Sequence, residues 1–329
     1  MKRVDAHWDT PLYLSGISGL ECALPEAFSA FKPQELYSSL ERLPTAHCDY
    51  MRMRQHIDIA FFALFFSYWE MPHLNHFEVF NNSMELLLAD IKGPESGIRV
   101  LLDAADVDRS GTFALISAEG GGFLGDESTA IIRLEEVFAN GLRALGLTWN
   151  NKNLLAGGCG KGEGGCITEL GKQVISRCNE LGILLDGAHL CPESLLGLAS
   201  LSSVPVTVSH TCMAALHPDS YPRNISDDGL RAVANRGGVI GICFLSNFLG
   251  GMPGMSRIAE HVRHAVNVAG IDHVGIGSDF DGCVLPDDMV GLQSMPLIYD
   301  ELRKSGFTEK ETEKIAGGNF CRLLKEVLP

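Results

Sequence analysis

The sequence predicts a (β/α)8 barrel, and three observations carry that prediction. Short apolar runs recur along the chain, each with the length of a buried parallel strand. Segments of helical spacing with recognisable ends lie between most of them. A histidine or an acid stands at the C-terminal end of five runs, in VDAHWD, ALISAEGG, ILLDGAH, VTVSH and HVGIGSDFDG. Barrel proteins keep their chemistry at that end of the strands.

Eight runs qualify as strands: Arg3–Ala6, Ile59–Phe65, Phe113–Ala118, Leu142–Thr148, Ile183–Gly187, Val204–Ser209, Val239–Phe244 and His273–Ser278. The helices between them announce their ends. Thr168 is placed to cap a helix whose Leu170, Val174, Cys178 and Leu181 share a face, and Gly182 stops it. Ser226 with Asp227 and Asp228 starts another, ended at Gly237. Ser256 is expected to open a third, with Ala259, Val262, Val266 and Ala269 on one stripe up to Gly270. Thr308 and Glu311 form a capping-box pattern. An open nucleotide-binding sheet is the competing architecture, but GGGFLGDES around Gly120 has neither GxGxxG nor GK[ST] spacing. The chain is therefore expected to be a single catalytic barrel domain over 1–329, with an irregular insertion around 16–44 near the active-site mouth.

Composition narrows the classes. A length of 329 residues suits one barrel with insertions, and 46% apolar residues supply a large core. The formal charge of −15 argues against nucleic acid and anionic membrane partners, which need basic patches. The N-terminal MKRVDAHWD has no signal-peptide core, and the longest apolar stretch, Ile57 to Phe66, is broken by Asp58 and too short to span a bilayer. The ten cysteines are scattered without paired CxxC units, so reduced thiols and a cytoplasmic location are expected.

His7 and Asp9 are spaced i, i+2, which puts both side chains on one face of a strand. Glu119 precedes three glycines, and a carboxylate buried there needs a cation to compensate it. His189 and His210 end consecutive strands, close to the ~4.8 Å spacing of strand neighbours, and neutral imidazole is the commonest zinc ligand. Asp279, directly at the end of the last strand in SDFDG, is the favoured partner of a metal-bound water, with Asp281 bracing the loop. Three imidazoles and three carboxylates at one mouth can hold two divalent metals, which makes this a barrel of the metal-dependent hydrolase type. The histidines at 47, 56, 73, 76, 217, 261 and 264 read as solvated or structural, and His273 lies at the wrong end of its strand.

Read together, HxD (His7–Asp9), EGG (Glu119–Gly121), LTxN (Leu147–Asn150), DxxH (Asp186–His189), SH[ST] (Ser209–Thr211), RN[IV]xDD (Arg223–Asp228) and G[ST]DFDG (Gly277–Gly282), followed by GGNFCRLLKEV, resemble the membrane (renal-type) dipeptidase family, peptidase family M19. The resemblance spans nearly the whole chain in order. It implies two Zn2+ ions, one on His7 and Asp9, the other on His189 and His210, with Glu119 bridging. It makes Asp279 the acid/base and Arg223 the clamp on a substrate carboxylate, a task suited to a planar bidentate donor. The alternative for Arg223 is an ion pair with Asp227 or Asp228.

One position departs from the pattern: Trp149 stands where many animal members carry histidine. Indole N–H donates one hydrogen bond and carries no positive charge, so oxyanion stabilisation would fall on the metals or on Asn150, with Trp149 narrowing the substrate pocket. The function implied is hydrolysis of dipeptides, including those with a C-terminal D-residue, by a metal-bridging hydroxide. A barrel amidohydrolase acting on N-acyl amino acids or lactams, and a metal-retaining protein used for binding or natural-product tailoring, are the alternatives. The expected partner is a small dipeptide, with a homodimer possible.

Overall fold

The computed structural model describes residues 2–11, 46–65, 73–94, 96–251 and 254–329. The expected insertion at 16–44 lies outside the described residues. Among those described, nine strands occur in the order β1 (Val4–Trp8), β2 (Ile59–Phe65), β3 (Ile98–Val100), β4 (Thr112–Glu119), β5 (Leu142–Gly146), β6 (Leu184–Asp186), β7 (Thr207–Thr211), β8 (Val239–Ile242) and β9 (Val274–Ile276). All but β3 close into a ring, β1-β2-β4-β5-β6-β7-β8-β9, in which every neighbour is parallel. This is a TIM barrel, and its eight strands correspond one to one with the eight apolar runs. The additional β3 pairs from Ile98 with Thr112 to Val100 with Ala114, along the first part of β4. From Ile116 onward that edge belongs to β5.

Among the described residues, the α-helices outside the ring are α1 (Tyr50–His56), α2 (His76–Ile91), α3 (Ala130–Asn140), α4 (Glu169–Leu181), α5 (Pro192–Leu201), α6 (Asp227–Asn235), α7 (Met255–Ala269), α8 (Met295–Lys304), α9 (Glu309–Glu313) and α10 (Asn319–Val327). Thr168 caps α4 by accepting from the Gly171 amide, and Gly182 ends it in the left-handed region. Ser226 caps α6 through the Gly229 amide, and the Thr308–Glu311 capping box forms in full. The start of α7 differs from expectation. It begins at Met255, whose amide lies 3.0 Å from both carboxylate oxygens of Asp288, so a distant acid serves the end that Ser256 was expected to cap. No helix among the described residues is long and apolar enough to cross a membrane.

The strand period explains how the barrel is filled. Ile59 and Phe61 of β2, Phe113 and Leu115 of β4, Ala144, Leu184 and Val239 form one buried cluster with Phe320, Leu323, Leu324 and Val327 of α10. The amphipathic C-terminal helix thus closes the end of the barrel where the strands begin, with the Phe320 ring edge-on to Phe61 at 5.8 Å. The opposite faces of the strands pack into a second, larger cluster with the surrounding helices. Side chains alternate along a strand. Counting on by twos from Phe113 and Leu115 reaches Ser117 and then Glu119, so the β4 carboxylate points into the open end of the barrel.

Candidate metal centre

All six chemical residues expected at strand ends meet at that open end, and all are buried: His7, Asp9, Glu119, His189, His210 and Asp279. Glu119 is central. Its Oε1 lies 2.8 Å from His189 Nε2, 3.3 Å from His210 Nε2 and 3.7 Å from His7 Nε2. His7 Nε2 stands 3.5 Å from Asp9 Oδ1 and 3.9 Å from Asp279 Oδ1. The donor atoms fall into overlapping groups: His7, Asp9 and Glu119; Glu119, His189 and His210; His7, His210 and Asp279. Glu119 belongs to the first two, as a residue shared between two cations would.

The backbone is held in unusual shapes to achieve this. His189, Asp279 and Asp281 have φ of 65°, 65° and 67°, the positive-φ non-glycine residues among those described. The left-handed region is costly for side-chain-bearing residues and concentrates at functional sites. Asp186 supports the turn at His189. Its Oδ1 accepts from the amides of Ala188 at 2.9 Å and Ser209 at 2.8 Å, tying the His189 turn to the strand that carries His210. Gly282 is required by close approach: a Cβ there would collide with Asp9 Oδ2 and lie 2.6 Å from Asp279 Oδ1.

Asp281 is not part of the cluster. Its carboxylate accepts from Thr10 Oγ1 at 2.7 Å and from the His47 amide at 2.6 Å, while its own amide donates to His47 Nδ1 at 2.9 Å. It braces the loop, as anticipated, and burial lifts its pKa to about 6 against those hydrogen bonds.

The electrostatics describe a cation site. Burial raises the pKa of Glu119, of Asp9 and, well above the usual range, of Asp279; Glu119 adds to the rise at Asp9, and Asp9 and Glu119 add to it at Asp279. Burial lowers His189 and His210 well below 6.5, helped by nearby Arg223 and His7. At His7 burial also opposes the charge, but Glu119, Asp9 and Asp279 overcome it and lift the pKa to about 10. Buried carboxylates that cannot all be ionised without a counter-charge are stabilised by a proton or a metal. Among the described residues, His7 Nε2 and Asp9 Oδ1 are buried without a hydrogen-bond partner. A donor set of imidazoles and carboxylates around such orphaned atoms suits divalent cations of the zinc type.

Arg223 enters the same mouth. Its Nη1 donates to the His210 carbonyl and its Nη2 lies against His189 Nε2, each at 3.0 Å, and its guanidinium stacks over Phe248 at 5.0 Å. The alternative ion pair is not formed: Asp227 pairs with His264 and Arg231, and Asp228 with Arg231. Trp149 stacks on His189 with ring centroids 5.7 Å apart and lies 5.0 Å from the Phe65 ring. Asn150 turns its Oδ1 toward His189 Nδ1, at 2.8 Å.

A family model for membrane dipeptidase, peptidase family M19, matches residues 1–328. The chain belongs to that family. A Klebsiella pneumoniae relative, an uncharacterised protein in the pqqA 5′ region, is 32% identical over 248 residues, 70% of this chain and 89% of its own length. The fold is shared with dipeptidase AC, a metallopeptidase of family M19, at 24% identity over 100% of this chain and 99% of the other, TM-score 0.80. A Rhodobacter sphaeroides metallopeptidase liganded with a phosphinate mimic of the dipeptide L-Ala-D-Ala is 23% identical over 99% of each chain, TM-score 0.82. Within an M19 barrel, Asp186, Ser209 and Gly282 are the supporting residues that sequence reading left without a role. Their signal was present in DxxH, SH[ST] and G[ST]DFDG, but it describes contacts between strands, which spacing along one strand does not reveal.

Proposed function

We propose that this M19 metallopeptidase is a binuclear zinc dipeptidase, with His7 and Asp9 holding one ion, His189 and His210 the other, and Glu119 bridging. The observation that carries this reading is the position of Glu119 Oε1 within 3.7 Å of all three histidine nitrogens, beside His7 Nε2 and Asp9 Oδ1, which have no hydrogen-bond partner among the described residues. Zinc bound there would supply a water of pKa ~7 and polarise the scissile carbonyl.

The protein's own groups supply the rest. Asp279, held beside His7 by its left-handed turn, takes a proton from the attacking water and delivers it to the leaving amine. Burial raises its proton affinity, which suits a group that must both accept and return a proton. Arg223 binds the substrate's terminal carboxylate. Beside it an apolar depression lined by Leu195, Leu196, Pro222 and Ile225 receives the side chain of the C-terminal residue. The mimic of L-Ala-D-Ala bound by the Rhodobacter sphaeroides protein supports testing a small C-terminal residue such as D-alanine there. Trp149, flat against His189, narrows the mouth and leaves oxyanion stabilisation to the metals.

The test is turnover of a panel of L,L- and L,D-dipeptides beside N-acyl amino acids, with zinc and with chelator. Zinc-dependent cleavage of dipeptides, with N-acyl amino acids inert, is the expected result. Turnover of the N-acyl compounds alone would overturn it.

A further inference from the structure

The two histidines of the second metal position each turn one ring nitrogen inward and one outward. What the outer nitrogen touches decides which nitrogen carries the ring proton. For His189 the outer contact is Asn150 Oδ1, 2.8 Å from Nδ1. A side-chain amide has two ends, and only one orientation satisfies the surroundings. Arg223 Nη2, which can only donate, lies 3.0 Å from His189 Nε2. Glu119 Oε1, 2.8 Å from the same Nε2, competes to accept a proton there; a cation held by Glu119, as proposed above, would take the Nε2 lone pair instead, so that Nδ1 carries the proton and the atom facing Nδ1 must be an acceptor. A second donor agrees: Cys159 Sγ lies 3.1 Å from the same Asn150 oxygen. Burial keeps that thiol protonated.

We propose that Asn150 is a positioning residue for His189: its amide oxygen takes the Nδ1 proton, fixing the tautomer that presents Nε2 to the metal cavity, while the Cys159 thiol holds the amide in that orientation. The proposal rests on the metal reading above and gives Asn150 work other than substrate contact. Reversing the amide would set N–H against N–H at His189 and leave the thiol facing a donor. The backbone of Asn150 has a separate task, accepting from the Gly160 amide at 2.7 Å, so side-chain substitutions leave the loop's own hydrogen bond in place.

The experiment compares wild type with Asn150→Ala and Asn150→Asp, the latter keeping volume and an acceptor. Long-range 1H–15N spectra of the apo-proteins report the His189 tautomer, and zinc titration against a competing chelator reports affinity. The expected result is an Nδ1-protonated His189 in wild type and mixed tautomers in Asn150→Ala. One zinc equivalent should bind ~10–100-fold more weakly in Asn150→Ala, the usual cost of losing such a partner, with near-wild-type affinity in Asn150→Asp. An Nε2-protonated His189 in wild type would overturn the proposal. So would an Asn150→Ala protein with unchanged zinc affinity, whatever its tautomer, or an Asn150→Asp protein as weak as Asn150→Ala. A wild type that binds no zinc would refute the metal reading instead, and the apo spectra would still decide the role of Asn150.

Discussion

Arg223 and His189 meet at the mouth of the barrel: Nη2 of one lies 3.0 Å from Nε2 of the other. The lone pair that Arg223 addresses is the one a metal would take. On the proposed metal reading, loading would free the guanidinium to face an incoming carboxylate while Nη1 stays anchored on the His210 carbonyl.

From this follows a kinetic expectation for Arg223→Ala. A carboxylate contact present in both ground and transition states is uniform binding, so KM should rise with kcat little changed. A charge-assisted bidentate contact contributes about 2–3 kcal/mol, or roughly 30–150-fold in kcat/KM. Amidating the dipeptide's C-terminus should impair the wild type by a similar factor and leave the variant almost unaffected. Equal impairment of both would show that Arg223 does not meet that carboxylate.

Metal content should reach about two zinc ions per chain, the number that the two Glu119-sharing donor groups support. Glu119→Gln removes the shared negative charge and should lose metal more completely than a change at Asp9. Elemental analysis of fully loaded, folded protein decides this; a single ion per chain would refute the bridging role.

Asp279 and Asp281 lie two residues apart and should fail in different ways. Asp279→Asn should lower kcat by ~10²–10⁴-fold, the usual contribution of general acid–base catalysis, with zinc content near wild type. Asp281→Asn leaves turnover per folded molecule largely intact. It weakens the acceptor shared by Thr10 and the His47 amide, at a cost of about 1–3 kcal/mol in denaturant unfolding. Matching phenotypes in the two variants would merge their roles and remove Asp279 as the proton carrier.

His261 sets a pH-dependent stability away from the metals. It is fully buried, its Nδ1 accepts from the Met213 amide at 2.9 Å, and burial with nearby Arg257 lowers its pKa to about 4. Between pH 6.5 and about 4 the unfolded chain binds a proton that the native ring refuses, so stability falls as the pH drops through that window. The loss reaches about 3 kcal/mol at 1.36 kcal/mol per pH unit. His261→Asn keeps an acceptor for Met213 and cannot titrate there. Urea unfolding of both proteins at pH 7 and pH 4 should show the smaller loss in the variant. Equal losses would exclude His261 as the source.

The barrel and the residues that converge at its mouth were legible in the sequence because each depends on local order. Strand runs such as Ile59–Phe65 and Phe113–Ala118 bury both faces and are almost wholly apolar, with Ser117 the one exception, and chemistry at their ends stands out against that background. β3 escaped because Ile98–Val100 is too short for any periodicity, and its pairing is set by the edge of β4 left open before β5 begins. The start of α7 was misplaced because its amide is served by Asp288, 33 residues away. Asn150 was legible as a site residue, but its orientation depends on Cys159, His189 and Arg223, which only the folded loops bring together.

The brace at Asp281 has a consequence for how this barrel can diversify. One carboxylate fastens the chain at Thr10, just before residues 12–45, and again at His47, just after them. Departure and return are thus stitched at one point, one residue beyond Asp9. Doubling the number of residues between two fixed ends costs only about 0.6 kcal/mol. A change in the length of chain between those two stitches therefore leaves Asp9, one residue before the first, held in place, which makes this position a natural graft point beside the site.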